Sequence, residues 1–250
     1  MKILKILKNE PDDYVFNILG IENFNKETSY LRGFFQYLKK NHSKIDGDIC
    51  EFGTFNGKSA LAIAIFLKKI KSKKKIYCFD SFSGFGSYHK YDSFKYLKYD
   101  KDIFKKHQIN KKIRNFLINK KITPQNISTS LEFSGTILRN LRRKIKFLNL
   151  NNIVIVKGDF KITVPKFFKT KRKVFSVNMD CDLYEGYKVA LPYAYNNLEK
   201  GGYVHLDEYY SLKFPGCKIA CDEFFNKNKI KVLYLKKFKW EFPRAYVLKK

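Results

Sequence analysis

Short runs dominated by apolar residues recur along the chain: Asp48–Phe52, Lys75–Phe79, Ile153–Val156, Val174–Met179 and Tyr203–Leu206. Their length and their β-branched and aromatic content read as buried strands. Between them the period changes. Tyr30–Leu38 carries apolar positions at helical spacing, and Lys58–Lys69 is rich in Ala, Ile and Leu, the composition of a helix that packs on a sheet. Further helices are predicted over Leu131–Lys146, Gly186–Leu198 and Gly216–Phe225, and residues Met1–Lys44 read as mainly helical. Glu199-Lys200-Gly201-Gly202 reads as a glycine stop to the Gly186–Leu198 helix. Two last strands are expected near Ile230–Leu235 and Ala245–Leu248. Strand–helix–strand order of this kind predicts an α/β fold around a parallel sheet.

One stretch breaks the rhythm. Ser83–Ser130 is rich in Lys, Tyr, Phe and Asn and has few β-branched runs. It reads as loops and short helices inserted above one edge of the sheet, either a surface excursion or a lid over a site. With no internal repeat and no linker, residues 1–250 are expected to form one domain: an N-terminal helical segment over 1–44, and a lid insertion over 83–130.

Composition changes the picture in two places. The chain is 44% hydrophobic and 17% aromatic, which favours a folded globule over disorder. The longest apolar run is about Ala60–Leu67, too short to span a membrane, and the basic start MKILKILKNE lacks the features of a secretory signal. Five cysteines without paired CxxC spacing point to reduced thiols in a cytoplasmic protein. Cys217 and Cys221 share a helix face and read as buried small residues. The net charge of +28 raises a nucleic-acid partner, but Lys is scattered through nearly every loop and helix, and no block alternates bases with aromatics. A Lys-rich surface, or a small substrate bearing phosphate, accounts for the charge equally well.

Acids are placed less evenly than bases. Glu51, Asp80, Asp159, Asp180, Asp182, Asp207 and Glu208 all fall at the C-terminal ends of candidate strands, the edge at which α/β sheets bind ligands. Asp180-Cys181-Asp182 closes one apolar run and Asp207-Glu208 the next. Asp180 and Asp207 are 27 positions apart, room for a crossover that sets them side by side. Four converging carboxylates need a cation or a shared proton, so the feature predicts a hard-metal site, an acid/base site, or both. Asp182 has a second reading, as the cap of the helix beginning near Glu185. Glu51-Phe52-Gly53-Thr54-Phe55-Asn56-Gly57-Lys58-Ser59 is a glycine turn leading into a helix, suited to close approach of an anionic ligand group. Its ExGxxxG spacing is not the dinucleotide GxGxxG pattern. Asp80, ending the next strand, stands where an acid commonly binds ribose hydroxyls, and Gly158-Asp159 adds a third turn at the same edge. His205 reads as a structural core histidine, and His107 as a residue within reach of a substrate. Tyr184, Tyr209 and Tyr210 read either as walls of a sugar pocket or as aromatic packing.

These residues resemble the class I S-adenosylmethionine methyltransferases and, more narrowly, the macrocin O-methyltransferase family, which methylates sugar hydroxyls on small molecules. The resemblance runs over DICEFGTFNGKSA, IYCFDSFSGF, VKGDFKITVP, NMDCDLYEGYKVAL, LEKGGYVHLDEY and FPGCKIACDEFF, roughly from Asp48 to Phe225. It implies a three-layer Rossmann-like fold with a mostly parallel seven-stranded sheet and an antiparallel last strand. It implies S-adenosylmethionine along Glu51, Gly53, Thr54, Phe55, Gly57 and Ser59, with Asp80, Ser81, Gly158, Asp159 and Asp180 completing the cofactor site. It implies a divalent metal, usually Mg2+, on Asp180, Asp207 and Glu208, and Asp182 as general base. The family usually has two aspartates in the second pair, so Glu208 is a departure. The expected activity is metal-dependent O-methylation of a small sugar-containing or phosphorylated metabolite, with a homo-oligomer possible. The rival readings are an RNA methyltransferase and a non-catalytic relative of the fold. No N-P-P-Y-type motif follows the fourth strand; acids occupy that place.

Overall fold

A computed structural model describes residues 13–99, 101–119, 136–235 and 242–250. Two helices precede the sheet, α1 (Asp13–Leu19) and α2 (Arg32–Asn41), so the described part of the N-terminal segment is helical with a loop between. Residues 1–12 lie outside the described residues, as do 120–135 of the insertion and the start of the helix expected at Leu131. The main unit then runs β1 (Asp48–Phe52), α3 (Lys58–Lys69), β2 (Ile76–Asp80), α4 (Lys101–Lys106), α5 (Lys111–Asn119), α6 (Thr136–Phe147) and β3 (Ile153–Lys157). It continues with α7 (Phe160–Phe168), β4 (Val174–Met179), α8 (Tyr184–Asn196), β5 (Leu198–Leu206), α9 (Pro215–Lys227), β6 (Leu233–Tyr234) and β7 (Ala245–Leu248).

The seven strands are ordered β3-β2-β1-β4-β5-β7-β6. Strands β1 to β5 pair in parallel, and β7 runs antiparallel between β5 and β6. Strand order reverses direction at β1/β4, the place where a crevice opens outside the carboxyl ends of the strands. Side-chain alternation sends Cys50, Phe52, Phe79, Val177, Met179 and Leu206 to one core with α7, α8 and α9. Ile49, Ile76, Cys78, Phe175 and Tyr203 go to the other, with α2, α3 and α6. Each face buries a full helical layer, which is why the central strands read as apolar on both sides.

The structure differs from the sequence expectations in several elements. Glu199–Gly202 does not stop a helix; it lies inside β5, which starts at Leu198. Pairing of β4 with β5 is irregular between Val174 and Ser176, and Gly201 takes φ +78° there, so the glycines serve a strand irregularity. Helix α7 was not anticipated, because Pro165 sits inside it and Gly158-Asp159 reads as a turn. Its cap is Asp159, whose Oδ1 accepts the Lys161 N–H at 2.7 Å. Helix α8 starts at Tyr184 with Leu183 as its cap residue, and no side chain of that residue caps it, so Asp182 is not the helix cap. The inserted segment supplies that partner: Asp92 Oδ1 accepts the Tyr184 N–H at 2.9 Å. Nor is its described part a loose excursion. Phe94, Ile103 and Phe104 are buried in the same core as Leu206 and Tyr209. Cys217 and Cys221 are buried on α9, and all five cysteines are free thiols. Among the described residues no helix is long and apolar enough to cross a membrane.

Candidate active site

The carboxyl ends of β1, β2, β3 and β4 open into a cavity of about 520 Å3. Gly53, Thr54, Phe55, Ser59, Asp80, Ser81, Gly158, Asp159, Asp180 and Asp182, all of them candidate site residues in the sequence, line it together. Gly53 has to be glycine. Its φ is +91°, and a Cβ on it would stand 1.7 Å from the Asp180 carbonyl oxygen. The turn after β1 therefore presses directly on the backbone that carries the Asp180–Asp182 acids.

Two cofactor-site expectations acquire a different geometry. Glu51 does not reach the cavity. It is fully buried beneath the turn, and its Oε1 accepts the Asn178 side-chain amide at 2.9 Å. Burial pushes its carboxyl up to about 7, against hydrogen bonding from Ser59, Asn178 and Thr54. Gly57 also lies off the cavity wall, as the left-handed cap residue of α3 with φ +80°. Asp80 does line the cavity, and it clamps two loops. Its Oδ2 accepts the Phe55 N–H at 2.8 Å and its Oδ1 the Phe82 N–H at 2.7 Å. Both phenylalanines take positive φ, 47° and 54°, so the carboxylate holds strained backbone on either side of it.

The second acid group forms because β4 and β5 are in register at their carboxyl ends. Met179 pairs with Leu206, and the ladder runs on through the Asp207 N–H to the Met179 carbonyl at 3.0 Å. Asp180 and Asp207 thus leave neighbouring strand ends side by side. Carboxylate oxygens of Asp180, Asp207 and Glu208 all lie within 4.8 Å of one another. The donor set is oxygen only, which suits a hard divalent cation. Burial, with the Asp207 charge next, raises the Asp180 carboxyl well above its ordinary range, and Glu208 is raised by burial and then by Asp180. Asp207 goes the other way. Burial opposes its ionisation, but the Arg244 guanidinium and His205 hold its carboxyl low. With all three carboxylates ionised, they and one guanidinium leave two negative charges, the complement of a divalent ion, so these residues fit the metal that the resemblance implies.

Asp182 stands apart from that group and faces the cavity. Its φ is +59°, an uncommon conformation for a residue other than glycine. Burial, with the Asp207 charge adding to it and Lys213 opposing, lifts its carboxyl to about 7. A carboxyl poised near neutrality at a cavity wall is able to exchange a proton with a group bound there.

The histidines divide as follows. His205 is fully buried; burial depresses its pKa, and its Nε2 lies 3.4 Å from Asp207 Oδ1. His107 is directed to the Tyr210 backbone carbonyl. Tyr184, Tyr209 and Tyr210 are buried in the core, so packing is what the structure shows for them. Sequence reasoning missed Tyr30, which lines the cavity from the loop before α2, and Arg244, which binds Asp207 Oδ1 at 2.8 Å. Tyr30 was read as part of a helix, and a lone arginine ahead of the last strand carries no local signal.

The profile of the family described as macrocin O-methyltransferase (TylF) matches residues 37–237. The O-methyltransferase NovP superposes with a TM-score of 0.62 at 21% identity, over 88% of this chain and 78% of that one. CalS11, a calicheamicin methyltransferase, superposes at 0.60 and 20% identity over 99% and 90%. An O-methyltransferase from Bacillus cereus in complex with SAH gives 0.55 at 8% identity over 99% and 94%. At these identities the likenesses establish the fold. No curated protein sequence matches the chain significantly.

Proposed function

We propose, for a chain that belongs to the macrocin O-methyltransferase family and is an S-adenosylmethionine-dependent O-methyltransferase, that its acceptor is a hydroxyl of a small sugar-containing metabolite and that transfer depends on a divalent metal, Mg2+ being the natural candidate. One observation carries the reading. Asp180 belongs both to the cavity wall and to the three-carboxylate group, while Asp182 faces the same cavity. On this reading the sites for cofactor, metal and base adjoin one another.

In this reading Gly53, Thr54, Phe55 and Ser59 hold the methionine end of S-adenosylmethionine at the start of α3. Asp80 and Ser81 take the ribose, and Gly158-Asp159 lies beside the adenine. Glu51 and Gly57 contribute from beneath, by shaping the turn. Asp180, Asp207 and Glu208 would hold the metal, which supplies a Lewis acid able to orient the acceptor oxygen and favour its alkoxide. The Glu208 departure from the usual aspartate is accommodated by a tether: Tyr187, itself fully buried, hydrogen-bonds Glu208 Oε2. Asp182 accepts the acceptor proton as the methyl group arrives. Sugar acceptors are favoured by the family, and by CalS11, whose structure is described as a TDP-rhamnose 3'-O-methyltransferase. The net charge of +28 supports an acceptor that carries phosphate. The insertion over 83–130 is proposed as a lid, and Asp92 ties its described part to α8.

The test is methyl transfer from radiolabelled S-adenosylmethionine to a panel of sugars, nucleotide-linked sugars and their dephosphorylated forms. Transfer abolished by chelation and restored by Mg2+ supports the metal. Turnover that survives chelation removes it, and turnover indifferent to dephosphorylation removes the phosphate. Tight RNA binding with a steep salt slope in a filter assay would instead favour the nucleic-acid reading.

A further inference from the structure

We infer that Arg244 is a positioning residue for the divalent ion, setting the Asp207 carboxylate so that Oδ1 is held by protein and Oδ2 is presented to the ion. The inference rests on the metal reading above and goes beyond it, because Arg244 belongs neither to the carboxylate group nor to the cavity wall.

Strand order brings Arg244 to this place. Leu206 pairs with Ala245 in the antiparallel β5–β7 ladder, so the residue after Leu206 meets the residue before Ala245. Arg244 Nη1 donates to Asp207 Oδ1 at 2.8 Å and lies 3.3 Å from the Asp207 carbonyl oxygen. His205 Nε2 approaches the same Oδ1 at 3.4 Å. Two groups thus converge on one carboxylate oxygen and fix the rotation of the side chain. The guanidinium is itself held: its carbon lies 4.3 Å from the Phe242 ring centroid and 5.2 Å from that of Tyr30. Asp207 and Arg244 side chains are only 17% and 16% exposed, so water screens the pair weakly. Loss of an outer partner that orients a ligand typically costs about 10- to 100-fold in metal affinity.

Arginine near a cation also repels it, so removing its charge would mix two opposed effects. Arg244→Lys separates them. Lysine keeps the charge but not the planar guanidinium that lies over Phe242 while its Nη1 reaches Asp207 Oδ1 and the Asp207 carbonyl oxygen. A second variant, Phe242→Leu, keeps every charge and loosens the guanidinium.

The experiment measures Mn2+ binding by electron paramagnetic resonance in the full chain, with binding of S-adenosylhomocysteine measured by calorimetry alongside. Arg244→Lys is expected to weaken Mn2+ binding by about 10-fold or more. Phe242→Leu is expected to weaken it less, and both should leave S-adenosylhomocysteine affinity unchanged. Equal Mn2+ affinity in Arg244→Lys and the parent overturns the inference, and so does a parallel loss of both affinities, which marks a merely structural role. If Arg244→Lys does not fold, Phe242→Leu decides by the same two criteria. A parent protein that binds no Mn2+ fails the metal reading itself, before any variant is compared, and this inference falls with it.

Discussion

At the scale of single residues, Asp182 is the most informative position. The sequence left it between base and helix cap. The structure removes the cap, because Leu183 is the cap residue and Asp92 binds the Tyr184 N–H. A left-handed φ of +59° and a carboxyl lifted to about 7 then remain, in a side chain that faces the cavity. Asn tolerates that backbone conformation, so Asp182→Asn should fold and bind S-adenosylhomocysteine normally. Its turnover should fall by about 100- to 10,000-fold, the usual worth of a positioned base. In the parent enzyme the base is active once deprotonated, so the rate should rise with pH through about 7. A pH profile without that limb, or full turnover by the Asn variant, would take the base role from Asp182. Glu51 shows the converse lesson. It sits at a strand end like Asp180 and Asp207, yet burial and its bond to Asn178 make it a brace for the turn.

At the scale of elements, two contacts decide whether the cavity forms. Gly53 is in van der Waals conflict with anything larger, since a Cβ would meet the Asp180 carbonyl at 1.7 Å. Gly53→Ala is expected to cost on the order of 2 kcal/mol or more in denaturant unfolding and to weaken S-adenosylhomocysteine binding together with it. Unchanged stability would show that β1 and β4 are not in the register described. Asp92 is the other. One oxygen accepts the Tyr184 N–H at 2.9 Å and the other the His89 N–H at 2.8 Å, so a single carboxylate joins the insertion to the start of α8. Asp92→Ala should destabilise the protein by about 1–2 kcal/mol, as loss of a helix cap does. Hydrogen exchange should accelerate at Tyr184 and across 83–96 first; uniform acceleration over the sheet would argue against a local tie. The insertion's hydrophobic anchors, Ile103 and Phe104, were unreadable in sequence because two apolar residues in a Lys-rich stretch carry no period.

At the scale of the whole molecule, the buried acids are expected to make stability depend on pH and, on the metal reading, on added divalent ion. Asp180 and Glu208 have raised folded-state pKa values, so without a cation the fold favours their protonated forms. Stability is then lost as pH rises from the ordinary carboxylate range, near 4, through those raised values. Asp207, held low, has the opposite sign: its contribution is present above its ordinary pKa and is lost as pH falls through the lower folded value. Metal-free protein should therefore melt at a lower temperature at pH 8 than at pH 5, and added Mg2+ should raise the melting temperature more at pH 8. Calorimetry at the two pH values checks this, and an increment that does not grow with pH would contradict it.

The sequence by itself determined the sheet's central strands, the helices α3, α8 and α9, and the convergence of acids at one edge. Those features are written in local periodicity and in the spacing that one crossover allows, and both survive folding unchanged. Only the tertiary structure decided where each acid points and what it touches. Asp180 and Asp207 were neighbours on either view, but Asp182 became a cavity residue only when Asp92, ninety positions earlier, took the helix start. Glu51 became a brace only when Asn178 met it across β1 and β4. Arg244 reached Asp207 only because β7 turns antiparallel beside β5. In each case the deciding partner is distant in sequence, and burial and pairing, which set a carboxylate's charge and direction, exist only once the chain has closed on itself.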